Sequence, residues 1–196
     1  MTARTLDLPA LDRPLRDLFE RIAAPAALAT PDLGAIGHAV ADLTADVDYL
    51  ASWLERFGDR SGGLPMVAPD RGPRLTLVHR REGQTSAVHD HGVWIVVGAI
   101  QGLETHRRYR VADGRLAVAE ERHLAATDVT TRLPPDDLHD HGHLPGIGDP
   151  AYVLILAADD QRRYRRNEWD PATGRHRILE PGDGGRWLAS EPMPSA

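Results

Sequence analysis

The chain has ten histidines and no cysteine, so imidazole is its main soft ligand for a transition metal. Five of the ten sit in two short segments. "SAVHDHGVWIVVGAIQG" (86–102) holds His89 and His91, and "LPPDDLHDHGHL" (133–144) holds His139, His141 and His143. In an extended strand alternate side chains share a face, so His89 and His91 point one way and Asp90 the other. Two imidazoles about 6–7 Å apart along a strand can reach one divalent ion, and the second segment repeats that period. Asp136, Asp137 and Asp140 add carboxylates as alternative ligands, while Asp90 and Asp140 read first as outward polar residues or partners of the ligands. Chance can place one His-x-His pair among ten histidines. Two such clusters about fifty residues apart, each beside a strand and a turn, predict a metal site. Three neutral imidazoles leave the ion's 2+ charge uncompensated, which favours an anionic ligand and would strip the proton from a bound thiol. Zinc with three histidines and a water would show the same spacing.

The elements that must position these residues follow from the apolar periodicity. Leu15, Leu18, Phe19 and Ile22 recur at helical spacing. After "AAPAALATPD", Asp32 reads as an N-cap, and Leu33, Ile36, Val40, Leu43, Val47, Leu50 and Leu54 form one apolar stripe, ended by Gly58 and "SGGLP". From Arg74 the texture changes to short alternating runs: "RLTLVHR", "VWIVVGAI", "HRRYRV", "RLAVAEERHL", "DVTTRL", "AYVLILA", "RYRRNEW" and "RHRILE". Turn residues separate them, "REGQ", "ADGR", "LPPDD", "GIGDP" and "DPATG" among them. About eight closely spaced strands without intervening helices predict a double-sheet jelly roll or barrel. No internal repeat or linker interrupts it, so one domain is expected over 1–196, helical over 1–60 and β-barrel over 70–185. The apolar run after His91 is expected to continue the histidine strand into the core.

Composition excludes several classes. The chain has 196 residues, 41% hydrophobic and 27% charged, with formal net charge -6. That argues against a nucleic-acid binder driven by phosphate attraction. No apolar run approaches the roughly 20 residues of a membrane helix. The start lacks a secretory h-region, and the missing cysteines rule out disulfides, so a cytoplasmic location is expected. The expected partner is a small-molecule substrate, with neither nucleic acid nor membrane, and with a homodimer left open.

"GQTSAVHDH" (83–91) resembles the first cupin motif, and "PPDDLH" (134–139) resembles the second, with Asp136 where that motif prefers Gly. The cupin glutamate four or five residues past the second histidine is replaced by Ile95 and Val96. That loss, and the run "HDHGVWIVVGAIQGLE" (89–104), are similar to the thiol dioxygenases of the cysteine and 3-mercaptopropionate dioxygenase type. The resemblance covers roughly residues 74–158. It implies an all-β cupin, a double-stranded β-helix or jelly-roll barrel with N-terminal α-helices. It implies Fe(II), with Zn, Ni or Mn as alternatives, held by His89, His91 and His139, and O₂ as co-substrate. His141 is the rival third ligand.

The substrate shell departs from that family. Its late-strand Ser-x-His-x-Tyr relay falls on Val153–Ala157, with Tyr152 nearby in another phase, and its early-strand arginine is absent from "GLPMVAP". Candidates for the missing roles are His106, His141 and Tyr152 in catalysis. Arg71, Arg74, Arg107 and Trp94 are the candidates for substrate binding, although Trp94 reads equally as a core or rim residue. His79 and His123 read as solvent-facing, and Arg162–Arg166 as an exposed strand face. An apolar pocket without a cation would disfavour a carboxylate substrate, so cysteine is expected to be poor. The expected function is oxidation of a small molecule by a mononuclear non-haem Fe(II) dioxygenase-like enzyme. The rivals are a redox-neutral metal-dependent cupin (isomerase, cyclase or hydrolase) and a non-catalytic ligand-binding cupin.

Overall fold

A computed structural model describes residues 6–58, 60–112, 115–143, 146, 150–170, 175–182 and 191–192. Three helices come first: α1 (Arg13–Ala26), α2 (Leu33–Ala45) and α3 (Val47–Glu55). Each is capped by an aspartate, Asp12, Asp32 and Asp46, whose side chain accepts an otherwise orphaned backbone N–H of the first turn. The single stripe expected over residues 33–54 is therefore two helices. Asp46 has non-helical backbone angles, φ -81° and ψ 71°, ending α2 and capping α3. No described helix is long and apolar enough to cross a membrane.

Among the described residues twelve strands follow: β1 (Gly62–Val67), β2 (Arg74–Arg80), β3 (Val88–His89), β4 (Ile95–Gln101), β5 (Glu104–Ala112), β6 (Arg115–Leu124), β7 (Val129–Arg132), β8 (His139–Gly142), β9 (Ala151–Ala157), β10 (Arg166–Trp169), β11 (Arg175–Leu179) and β12 (Glu191–Pro192). One sheet runs β1-β2-β9-β4-β7 and the other β12-β11-β10-β3-β8-β5-β6. From β2 to β9 the chain crosses between sheets at every step except the β5–β6 hairpin. That gives the inner orders β2-β9-β4-β7 and β3-β8-β5-β6, all antiparallel, which is jelly-roll topology. The N-terminal helices and the double-sheet barrel are as expected. Strand β1 was not foreseen, because "GGLPMV" carries two glycines and a proline and does not read as a strand. "RYRRNEW" forms a strand only over Arg166–Trp169, after a short 3-10 turn at Gln161–Arg163.

The first sheet is apolar on both faces. Leu75, Leu77, Val96, Leu154 and Leu156 point outward and bury against Leu15, Leu18, Phe19, Ile22, Ile36, Val40 and Leu50 of the helices. Val78, Ile95, Val97, Ala99 and Val153 point into the barrel. Gly98 lets α2 lie directly on β4, since a Cβ there would stand 2.7 Å from Val40 Cγ1 and 2.9 Å from Thr44 Cγ2. Opposite this apolar floor, the inner face of the second sheet is polar, and it carries the histidines.

Candidate metal centre

Register assembles the centre. His89 pairs with His139, and His139 with Arg108 on β5. One step along, His141 pairs with His106. Paired residues of neighbouring strands point to the same face, so His89, His139, His141 and His106 line one patch of the barrel interior. His91 arrives differently from the sequence expectation. β3 ends at His89, Gly92 takes a positive φ of 65°, and the apolar run begins again as β4 in the other sheet. His91 thus lies on the crossover, and its backbone N–H donates to Asp137 Oδ2 at 3.0 Å. Gly92 cannot carry a Cβ without meeting Tyr164 Cβ at 2.9 Å.

Hydrogen bonds set the tautomers. His89 Nδ1 is 2.8 Å from the Ala87 carbonyl, and His139 Nδ1 is 2.6 Å from the Asp137 carbonyl. A carbonyl only accepts, so both Nδ1 atoms carry the proton and both Nε2 atoms present bare lone pairs to the interior. His91 Nε2 stands 3.3 Å from His139 Nε2, and His91 Nδ1 is buried without a hydrogen bond of good geometry. Two nitrogens bound cis on one ion at about 2.1 Å stand about 3.0–3.4 Å apart. The imidazoles here whose ring nitrogens all lie within 4.8 Å of one another are His89, His139 and His141, the rival third ligand, whereas His91 approaches His139 alone at hydrogen-bond distance. All four imidazoles are held neutral. Burial lowers His89, and it lowers His91 and His139 well below 6.5, where the neighbouring imidazoles add to it. Burial and then the Arg80 guanidinium take His141 down to about 3. Neutral imidazole is the form that binds metal, so the residues present fit an ion of the kind imidazole favours.

His141 belongs as much to a second group. Arg80 Nη2 lies 2.8 Å from its Nδ1 and 3.3 Å from its Nε2, and Glu104 Oε1 lies 3.2 Å from Nδ1. Glu104 is fully buried and also accepts from Arg80 Nε at 2.7 Å and from His106 Nε2 at 2.9 Å. Burial alone would raise the Glu104 carboxyl, but bonds to His106 and His141 outweigh it and hold it ionised, well below the usual carboxylate range. Glu104, His106 and His141 also lie within 4.8 Å of one another, but the guanidinium already fills the cation's place beside that carboxylate. Sequence reasoning missed Glu104 and Arg80. The only signals were a charge in the second position before "HRRYR" and an arginine ending "RLTLVHR", neither of which names a partner.

The remaining sequence candidates separate. His106 is buried in the patch, its ring stacked on His141 with centroids 5.3 Å apart, and its Nδ1 is buried without a partner. Tyr152 and Trp94 lie on the outer face of the first sheet, packed under the helices. Tyr152 stacks on His79 there with centroids 4.3 Å apart, so the strand's alternation turns it from the interior. His79, read as solvent-facing, is buried beneath that layer. Arg107 points to the outer face of the second sheet, paired with Asp140 at 2.9 Å, and Tyr109 donates to the same carboxylate. Arg71 is exposed, 3.7 Å from Asp159. Arg74 lines an interior cavity of about 380 Å³ with Gln161 and Arg166, but its guanidinium is held by Asp160 at 2.5 Å. None of the three aspartates enters the centre. Asp136 pairs with Arg108 at the rim, Asp137 accepts the His91 N–H, and Asp140 faces outward. The expected cation-free apolar pocket is corrected as well, because Arg80 reaches the interior from the end of β2.

No family model matches the chain, and no curated protein matches it by sequence. Solved structures resemble it in shape. A cupin-like protein from Thermotoga maritima is 18% identical over 49% of this chain and 66% of its own, with a TM-score of 0.40. A conserved protein with a double-stranded β-helix domain from Klebsiella pneumoniae is 16% identical over 54% of this chain and 85% of its own, TM-score 0.42. A cupin superfamily protein from Desulfitobacterium hafniense is 12% identical over 52% of this chain and 80% of its own, TM-score 0.41. At such scores the strand order and the side chains of this chain carry more weight than the likeness.

Proposed function

We propose that this protein is a mononuclear metal-dependent enzyme of the thiol dioxygenase-like kind, with Fe(II) held by His89, His91 and His139 and O₂ as co-substrate. The observation that supports the reading is that Nε2 is bare on His89 and His139, with His91 Nε2 3.3 Å from His139 Nε2, inside a barrel whose opposite wall is apolar; His141 remains the rival third ligand. Bound iron would supply the one-electron and O₂ chemistry that side chains lack. The chain's own residues do the rest. Val78, Ile95, Val97 and Val153 keep the facing wall dry. Glu104 accepts the His106 Nε2 proton, so His106 Nδ1 keeps its lone pair and can take a proton from a substrate beside the imidazoles. Arg80 neutralises Glu104, and the two together engage His141 Nδ1.

The test begins with protein purified without added metal, its content measured, then loaded anaerobically with Fe(II) and exposed to O₂ with small thiols and other small molecules. Substrate-dependent O₂ uptake supports the reading. Turnover without O₂ under Zn, Ni or Mn would replace it with a redox-neutral metal enzyme, a reading that the buried Glu104–His106 acid–base pair favours. Metal loading with no turnover of any kind would leave a ligand-binding protein.

A further inference from the structure

The histidine rows do not stop at β5. The row through His139 and Arg108 continues to Glu120 on β6, and the row through His141 and His106 continues to Arg122. Across from them, on β7, Arg132 turns into the barrel. Arg108, Glu120, Arg122 and Arg132 line a cavity of about 550 Å³ that opens between β6, β7 and residues 133–136; Arg108 and Arg122 stand next to His139 and His106 in their rows. That volume suits a small-molecule site.

Arg132 is the unusual member. It is only 6% exposed, yet among the described residues no carboxylate lies within ion-pair distance of it. Its Nη1 donates to Thr130 Oγ1 and to the Thr131 carbonyl, both at 2.8 Å, while Nε is buried with no partner. The cavity's two acids are already engaged: Asp136 pairs with Arg108 at 2.5 Å and Glu120 with Arg108 at 3.4 Å. Three arginines against two carboxylates leave the cavity one positive charge in excess. A buried guanidinium without a counter-charge is costly, and a planar fork with free donors is suited to an oxyanion.

We propose that this mouth is an oxyanion subsite. Arg132, with Arg122 and Arg108, takes a carboxylate or phosphate group of the substrate and leaves its other end beside His139 and His106. The assignment of the bound molecule as a substrate rests on the metal-dependent reading above; the anion site itself does not.

The test is calorimetric titration of the full-length protein near neutral pH and at low salt, with inorganic phosphate and separately with succinate, on samples of measured metal content. Saturable binding of at least one probe is expected. Arg132→Gln should weaken it about tenfold or more, the usual worth of a charged hydrogen bond. Arg122→Gln, at an exposed position, should weaken it about threefold. The better probe assigns phosphate or carboxylate. His139→Ala, poor in metal, should still bind. No saturable binding with either probe overturns the proposal. So does wild-type affinity in both arginine variants, or loss of binding in His139→Ala alone, which would put the anion on the ion. Should Arg132→Gln lose cooperative unfolding, Arg122→Gln decides. Anion binding intact in a protein that never takes up metal would sink the metal reading and leave this subsite standing.

Discussion

His91 and His141 each stand two residues from a proposed ligand; the spacing of ring nitrogens groups His141 with His89 and His139, whereas the hydrogen bonds favour His91. His141 is engaged by Arg80 and Glu104, while His91 faces His139 with nothing else of good geometry to bind. Alanine at 89, 91 or 139 should therefore leave protein that retains no metal through gel filtration. His141→Ala should retain it with an affinity loss of about 10–100-fold, the usual cost of a residue that orients ligands. Elemental analysis after gel filtration separates these, and full metal retention by His91→Ala with loss in His141→Ala would exchange the two roles. Acid should also act through these residues. Their pKa values are lowered in the fold, so the stability they contribute is complete above about 6.5 and is lost as pH falls toward the folded values, about 3 for His141. Each contributes up to about 1.4 kcal/mol per pH unit in that window. The thermal midpoint of metal-free protein should drop between pH 6.5 and 5, and a flat profile there would contradict the buried neutral cluster.

At the scale of elements, helix α2 lies on strand β4 closely enough to leave no room for a Cβ at Gly98. Gly98→Val would drive two methyl groups into Val40 and Thr44. It should cost at least the roughly 1–3 kcal/mol typical of overpacking, read as a lower urea midpoint. Asp46→Ala removes the acceptor of the Tyr49 N–H and should cost about 1 kcal/mol by the same measurement, with the metal content unchanged. Wild-type stability in Asp46→Ala would mean that α3 is held by its packing and by the Tyr49–Asp12 hydrogen bond rather than by its cap.

Over the whole molecule, the three helices and the barrel share one apolar layer, and Leu75, Leu77, Val96, Leu154 and Leu156 are fully buried beneath the helices. A chain lacking residues 1–58 would expose that face as a continuous hydrophobic patch of a kind folded monomers rarely show. Such a truncation should express as aggregate. A soluble, monomeric barrel by light scattering would show that the helical layer is dispensable.

Period-two histidines, the apolar runs with turns between them and the helical stripe were enough to predict a helical segment ahead of a double-sheet barrel, with imidazoles as the metal donors. These are local patterns, carried by side-chain periodicity within a single strand or helix, although the His89–His91 pair straddles the end of β3. What the sequence could not carry is contact across sheets. Nothing local tells that Arg80 from the first sheet meets Glu104 and His141 of the second, or that Arg132 on β7 faces Arg108 and Arg122 of the other sheet. Nor does it tell that Tyr152 turns under the helices while its neighbour Val153 enters the barrel. Which face of a strand is inside depends on where the other sheet and the helices close over it. The histidines proposed as metal donors were therefore legible as residues, whereas the charges around them, and the shape of the molecule they would admit, were decided by the closure of the barrel.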